Sequence, residues 1–258
     1  MAHVYIVRMS WFLVGCIGFL LQGGTPLVAA GEETLSHSEE YFPDTVGSRW
    51  QYRGEILDTP IQTIAERTFS NVSSVQGVST HQGATVKKFH DTNPGNHGPS
   101  DSYYRRDAAG VIYYGSEPGT TLERQLVPYQ IVRFPLVVPS SFQQFDRKNV
   151  DFDADLDGDD TTEHADVEAT VALLARESLT VPAGTYPDVI RVEARMTMHI
   201  HLSGAKQSVT GTDVMTAWFA RGVGLVKYVE RQELPAVRSE RGLVTEIVEE
   251  LEEVEIKP

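Results

Sequence analysis

The stretch Val189–Ser203, VIRVEARMTMHIHLS, alternates apolar and polar residues along its length. Side chains of a strand point to opposite faces in turn, so this alternation predicts a long strand with one face in a core and one in water. At about 3.3 Å per residue the strand would approach ~45 Å, which favours a curved antiparallel sheet with a bulge. The stretch therefore predicts an all-β protein.

Shorter segments on both sides of this strand favour the same fold class. Clusters of Pro, Gly and Asn separate them, notably at Asn93–Ser100 and Pro182–Pro187. We expect antiparallel sheets, arranged as a sandwich or as an open or half barrel. The additional strands are expected at Ser48–Leu57, Gln62–Ser70, Ala84–His90, Gly110–Gly115, Asp166–Ala175, Ser208–Phe219 and Leu225–Gln232.

The C-terminal tail, Leu243–Ile256, fits two patterns. Its apolar residues recur at helical spacing, but Leu243, Ile247 and Leu251 also share one face of a strand. We interpret the tail as an edge strand.

Composition limits the function classes. The chain has 258 residues, of which 41% are hydrophobic, so it can form a core. Its 36 acidic residues outnumber its 22 basic residues, for a net charge of −14. This acidity argues against a nucleic-acid partner, because a phosphate backbone requires a basic surface. A single Cys excludes a disulfide framework and a cysteine-based zinc site.

Residues 1–30 have the layout of a secretory signal peptide. They contain one basic residue, Arg8, then the apolar run Trp11–Leu21, and they end in small residues at Ala29 and Ala30. The apolar run is too short to span a bilayer as a helix. An alternative is a lipoprotein signal that ends at Cys16. We expect a cleaved signal peptide, no transmembrane span in the mature chain, and a periplasmic or secreted protein.

Two parts of the chain resemble each other. The pattern Phe-Pro-x-x-Val-x-Ser-x-aromatic-Gln occurs at 42–51 and again at 134–143. An aromatic pair followed by x-Arg and a Gly-Val step occurs at 103–111 and at 218–223. We interpret these patterns as two related β halves, residues 31–125 and 126–258. The alternative is a chance similarity between turns that both use Pro and aromatic residues.

An acidic run in the second half predicts a calcium loop. Counted from Asp153, positions 1, 3 and 5 are Asp and position 6 is Gly, which is the first half of a DxDxDG loop. The closing position carries His164 instead of Glu, so Glu163 or Asp160 would have to close the loop. The alternative is a solvated acidic turn within 151–164. We expect a structural Ca²⁺ ion bound by Asp153, Asp155, Asp157, Asp159, Thr161 and Glu163.

Two histidines on the long strand form a second candidate site. His199 and His201 share its polar face and would need a third ligand, such as Asp213 or His164, to bind a transition metal. An ordinary polar sheet face is the alternative. No hydrolase or metalloprotease motif is present in the sequence.

Aromatic residues concentrate on the predicted strands. They favour either cross-strand packing in the core or an interior that binds a ligand. The residues are Trp50, Tyr52, Tyr103, Tyr104, Tyr113, Tyr114, Tyr129, Trp218 and Tyr228.

Three segments together resemble a set of uncharacterised exported bacterial proteins and lipoproteins that are rich in β structure. The segments are Tyr41–Tyr52, Leu179–Tyr186 (LTVPAGTY) and Thr216–Lys227 (TAWFARGVGLVK). One departure is Arg221, where Pro is common in that pattern. The resemblance implies an envelope or secreted location and no particular activity.

These observations favour a non-enzymatic binding or scaffold protein of the cell envelope, stabilised by calcium. Its partner would be an envelope protein or a small apolar ligand. The first alternative is a periplasmic carrier of a lipid or other apolar ligand, which requires an apolar cavity between the halves. The second is a hydrolase with His199 or His201 in its site, which requires these histidines in a concave pocket.

Overall fold

The computed structural model of the protein describes residues 31–58, 67–238 and 242–258. The predicted signal peptide and part of the predicted strand Gln62–Ser70 lie outside these ranges. The described chain is almost entirely β, as predicted. The strands are β1 (Glu33–Thr34), β2 (Arg49–Asp58), β3 (Thr68–His81), β4 (Ala84–Asp91), β5 (Ser100–Asp107), β6 (Gly110–Glu117), β7 (Tyr129–Arg133), β8 (Val137–Val138), β9 (Ser140–Asp151), β10 (His164–Val181), β11 (Gly184–His201), β12 (Ser208–Ala220), β13 (Gly224–Leu234) and β14 (Leu243–Glu255). The helices are α1 (Thr121–Leu126) and two 3₁₀ turns, Ser38–Tyr41 and Pro94–Asn96.

Twelve of the strands form one antiparallel sheet in the order β7-β6-β5-β4-β3-β2-β14-β13-β12-β11-β10-β9. Strands β2–β7 and strands β9–β14 each form a consecutive six-stranded meander, and the two meanders join where β14 pairs with β2. The C-terminal tail is thus a strand, as predicted, but its predicted edge position is wrong. It has hydrogen-bonded neighbours on both sides, because the tail returns to pair with the first long strand.

The sheet curls until its two outer strands meet, which gives a nearly closed barrel and excludes the two-layered sandwich. The Gln144 side chain of β9 donates a 3.0 Å hydrogen bond to the Gln130 carbonyl of β7. Nearby, the rings of Tyr129 and Phe145 are 5.1 Å apart. A curled sheet removes most of the exposed apolar face that a flat sheet of this size would present.

The strand that the sequence singled out is β11. Its residues Ile190, Val192, Met196, Met198 and Ile200 are buried in the barrel, and the alternate residues face outward. Its ladder with β10 contains two irregular register steps, consistent with the predicted bulge. Local alternation alone therefore determines which face of this strand points inward.

The N-terminal segment and α1 fill the space left by incomplete closure. Leu35, Tyr41 and Phe42 pack in a buried cluster with residues of β6, β10 and β11. In α1, Leu122 and Leu126 are fully buried in the main core, and the Thr120 hydroxyl accepts a hydrogen bond from the Glu123 amide as the N-cap.

Within the described residues, no helix is long and apolar enough to cross a membrane.

Candidate functional site

The interior of the barrel contains a cavity of about 160 Å³. Both meanders contribute to its walls, since inward side chains of β2–β6 and of β12–β14 face it. Its lining includes Phe42, Trp50, Tyr52, Asn71, Ser73, Lys87, Phe89, Asp91, Ser100, Ser102, Tyr104, Arg106, Phe219, Leu225, Tyr228 and Glu249.

The polar atoms of the cavity's aromatic residues bond to protein groups. The Trp50 indole donates to the Val223 carbonyl at 2.7 Å, and the Tyr52 hydroxyl donates to the Leu225 carbonyl at 3.1 Å. The Tyr228 hydroxyl donates to Glu230 at 2.8 Å. These bonds orient the rings and leave their faces and edges as apolar surface, which suits a ligand with an apolar body.

The rings also contact one another along the wall. Phe89 lies between Trp50, at 6.2 Å between centroids, and Tyr104, at 5.2 Å. Tyr104 in turn contacts Tyr113 at 5.2 Å. Strands β2, β4, β5 and β6 supply these rings, so packing between strands fixes the shape of the cavity without a ligand.

One corner of the cavity is polar, and we call the group Asn71, Asp91, Ser100 and Glu249 the polar corner. The Asn71 amide nitrogen donates to Asp91 and to Glu249, each at 3.2 Å. The Gly95 amide donates to the second Glu249 oxygen at 2.8 Å. Two carboxyl groups are thus held beside one amide in the wall of the cavity.

Removal from water raises the pKa values of both carboxyl groups in the polar corner. Burial raises the pKa of Asp91 to about 6, although the Asn71 amide and Ser73 favour its charged form. Burial raises the pKa of Glu249 to about 7, against the opposing effect of the Gly95 and Asn71 donors. Perturbed acids of this kind concentrate at functional sites.

Cationic side chains lie elsewhere in the cavity wall. Arg106 pairs with Asp44 at 2.5 Å and also donates to the Glu39 carbonyl. Lys87 lines the cavity and has no ion-pair partner among the described residues. Lys87 and Asp91 are four residues apart on one strand, so their Cα atoms are separated by ~13 Å.

The sequence analysis identified the aromatic residues of the cavity but not its polar corner. In β14, Glu249 occupies the inward position between the buried Ile247 and Leu251. In β5, Ser100 and Ser102 are buried on the inward face. Polar residues at inward positions of an alternating strand are the signal that could have located this corner.

The acidic loop lies between β9 and β10, against the β11–β12 turn. It brings together Asp155, Asp157 and Asp159, whose nearest carboxylate oxygens are all within 4.8 Å of one another. The Asp157 carboxylate accepts hydrogen bonds from the Gly204 and Ala205 amides at 2.9 and 3.2 Å. Its other oxygen is buried and has no hydrogen-bond partner in the described part of the chain. Such an oxygen is a suitable ligand for a hard cation.

The remaining predicted calcium ligands lie outside this group of three. Glu163 is completely buried, and its two oxygens accept bonds from the Leu156 amide at 3.2 Å and the Ser203 amide at 2.8 Å. Asp153 and Thr161 are exposed. Glu163 therefore anchors the loop to the β11–β12 turn through backbone amides.

The histidines lie on the outer face of the barrel and do not line the cavity. His201 pairs directly with His164 across β10 and β11, and His199 contacts the Thr210 hydroxyl at 3.2 Å. The prediction that Asp213 could be the third ligand of a metal site with His199 and His201 is wrong. Asp213 lies opposite Met196 in register, so its side chain points into the barrel and away from His199.

Two solved structures are similar to this chain. One is a protein from Parabacteroides distasonis described as a lipoprotein, with a TM-score of 0.36 and 16% identity over 83% of this chain and 98% of that chain. The other, from Bacteroides fragilis, is described as an exported protein with a YmcC-like fold, with a TM-score of 0.36 and 12% identity over the same shares. These proteins are of the kind that the sequence motifs resemble. No family model matches the chain, and no curated protein matches it in sequence.

Proposed function

We propose that this protein is a non-enzymatic binding protein that acts outside the cytoplasm and holds a small, largely apolar ligand inside its barrel. The observation that carries the proposal is the aromatic-walled cavity between the two meanders. It meets the requirement of the carrier alternative, an apolar cavity lined by both halves. The signal-like residues 1–30 support the location, as does the lack of Cys after residue 30.

The size of the cavity suits a compact ligand. Its volume of about 160 Å³ is close to that of an apolar cavity of roughly 150 Å³ that accommodates benzene. A ligand in this space would exchange water for the faces of Trp50, Phe89 and Tyr104. We expect dissociation constants on the order of 10 µM to 1 mM for single alkyl chains of matching size.

The positions of His199 and His201 do not support the alternative that the protein is a hydrolase. Both side chains are exposed on the outer face, and neither lines the cavity. A general base has to reach a bound substrate.

Isothermal titration calorimetry with hexan-1-ol tests the binding proposal. We expect one saturable site in the wild-type protein. Ser102 is buried in the cavity wall, so the Ser102→Leu variant fills part of the space, and we expect it to weaken binding at least about fivefold.

The matched control is Ser141→Leu, because Ser141 is exposed on β9. This variant should bind hexan-1-ol as the wild type does. The proposal would be contradicted if the wild type bound none of hexan-1-ol, hexylammonium and hexanoate. It would also be contradicted if Ser102→Leu bound hexan-1-ol as tightly as the wild type does.

A structural calcium ion at Asp155, Asp157 and Asp159 is a second proposal. Its support is the close approach of three carboxylates together with the buried, unpartnered oxygen of Asp157. The ion would balance the negative charge and fasten the loop against the β11–β12 turn. Ca²⁺ accepts six to eight oxygen ligands, so backbone carbonyls or water would complete the site.

Thermal unfolding with 5 mM CaCl₂ or with EDTA tests this site. An ion that binds only the folded state raises stability by about 2.7 kcal/mol when present at 100 times its dissociation constant. We expect the melting temperature to rise with Ca²⁺ in the wild type and to stay constant in Asp157→Asn. Asp146→Asn, which removes an acid from the exposed face of β9, is the control and should retain the response. Identical melting with Ca²⁺ and EDTA in the wild type would refute the site.

A further inference from the structure

The polar corner contains a buried hydroxyl group with no partner. Ser100 is 7% exposed, lines the cavity and lies directly opposite Asp91 in the β4–β5 register. Its oxygen makes no hydrogen bond to any of the described residues. Buried hydroxyl groups are normally bonded, so this one indicates a position that a ligand atom would occupy.

The two acids beside Ser100 are held in place. The Asn71 amide nitrogen donates to both carboxyl groups, and its oxygen accepts from the Asn93 amide at 3.0 Å. The Asn71 side chain therefore has partners on both sides and cannot turn away without losing them. A preorganised set of acceptors of this kind favours a ligand that presents several donors.

The charge at this corner is negative. Glu230, on the neighbouring strand β13, accepts the Tyr228 hydroxyl bond near the cavity, and burial together with the charges of Asp213 and Glu249 raises its pKa. Lys87 lies at the other end of the cavity, and Arg106 is committed to Asp44. Among the described residues, no lysine or arginine forms an ion pair with Asp91 or Glu249. A cation that enters the cavity would therefore meet carboxyl groups without a paired base.

We propose that the ligand is a primary organic ammonium ion, whose three N–H donors meet Asp91, Glu249 and Ser100 while its apolar body lies among the aromatic rings. This inference rests on the proposed binding function and specifies the chemical class of its ligand. An ammonium group has three donors and no acceptor, which matches a corner of two carboxyl groups and a free hydroxyl. Aromatic faces favour a cation as well as the alkyl chain attached to it.

The ammonium preference should depend on pH. The titratable groups that line the corner are Asp91 on β4, Glu249 on β14 and the tyrosines Tyr52, Tyr104 and Tyr228, with Lys87 as the distant cation. Three groups outside the lining act on these acids through their charge: His90 and Asp101 act on Asp91, and Glu230 on β13 interacts with Glu249. Burial raises the pKa of each of these tyrosines, so they stay neutral. The pKa values of Asp91 and Glu249, about 6 and 7, place both as anions at pH 8.0 and largely protonated at pH 5.5. Hexylammonium keeps its charge throughout.

The experiment compares hexylammonium, hexan-1-ol and hexanoate by calorimetry at pH 8.0 and 5.5. These ligands share one chain length and differ in the head group. At pH 8.0 we expect hexylammonium to bind about tenfold more tightly than hexan-1-ol and to compete with it for one site. At pH 5.5 the preference should fall to less than about threefold.

Two variants locate the head group. Glu249→Gln removes one charge, and Ser100→Ala removes one acceptor with little change in shape; each should reduce the ammonium preference while hexan-1-ol still binds. If Glu249→Gln does not fold, Ser100→Ala and the pH series decide the question. Glu253→Gln removes the same charge from an exposed position of β14 and should have no effect.

The calorimetric results distinguish a failure of the ammonium inference from a failure of the proposed binding function. Equal binding of hexylammonium and hexan-1-ol at pH 8.0 would overturn the ammonium inference and leave the cavity function intact. A preference for hexanoate, lost in Lys87→Met, would also overturn it and would place an anion at the lysine end. If none of the three ligands binds, the proposed function itself fails.

Discussion

At the scale of single residues, Asp213 is an acid buried within the barrel. It is completely buried on β12, and neither oxygen has a hydrogen bond of normal geometry within the described residues. Burial raises the pKa of Asp213 to about 7, and the nearby Gln232 amide only partly offsets this effect. Glu230 has a raised pKa for the same reason, with the charge of Asp213 adding to it.

These acids predict that the protein is more stable in mild acid. The folded-state pKa of Asp213, about 7, lies above its ordinary value of 3.8, so the folded state binds the proton more tightly. The corresponding stabilisation is fully present below pH 3.8 and is lost as the pH rises through 7. We expect the melting temperature to fall between pH 5 and pH 8. The Asp213→Asn variant should be more stable than the wild type at pH 8 by about 1–3 kcal/mol.

Urea unfolding followed by circular dichroism at both pH values measures this effect. Asp213→Asn should show a shallower dependence on pH than the wild type, with the remainder due to Asp91, Glu230 and Glu249. Asp146→Asn is the matched control at an exposed site and should follow the wild type. An unchanged pH dependence in Asp213→Asn would show that the raised pKa of Asp213 is not realised in solution.

At the scale of elements, alternation predicted strands well where the inward face is apolar. It identified β11 because the inward residues of that strand are aliphatic or Met. It missed β5, SDSYYRRD, because the inward Ser100 and Ser102 face a cavity and carry no apolar signal. The pattern of the tail, with Leu243, Ile247 and Leu251 on one face, predicts a strand but carries no information on its neighbours, and β14 pairs with both β13 and β2.

The repeated patterns occupy equivalent positions in the two meanders. The Phe-Pro-x-x-Val pattern precedes β2 in the first meander and β9 in the second, which are their respective first strands. The aromatic pair with Arg leads through the β5–β6 turn and the β12–β13 turn, each between the fourth and fifth strands. This placement is what an internal duplication would produce, and the relationship of the two halves stays a prediction.

At the scale of the whole molecule, the two meanders share one core. The main buried cluster contains Tyr113 and Tyr129 from the first meander and Phe145 and Met196 from the second. The β2–β14 ladder joins the meanders on one side, and the Tyr129–Phe145 contact closes the other. Neither meander can bury its inward face without the other.

This shared core predicts that the barrel unfolds as one unit. Calorimetry should show a single transition whose calorimetric and van't Hoff enthalpies agree. Phe145→Ala, at the closure, should reduce the free energy of unfolding by about 3–5 kcal/mol without splitting the transition. Val78→Ala, at a residue 62% exposed, should change it by less than about 0.5 kcal/mol. Two separate transitions would show that the halves fold independently.

The sequence by itself determined the all-β class, the inward face of β11 and the acidic loop, because each depends on residues that are neighbours in the chain. A strand's alternation and a DxDxDG turn are local, and their geometry follows from backbone sterics. Only the tertiary structure decided where the tail lies and which polar residues meet in the cavity. Asn71 and Glu249 are 178 positions apart in sequence. They come together because curling of the sheet brings the inward faces of distant strands around one space, and no local pattern encodes that closure.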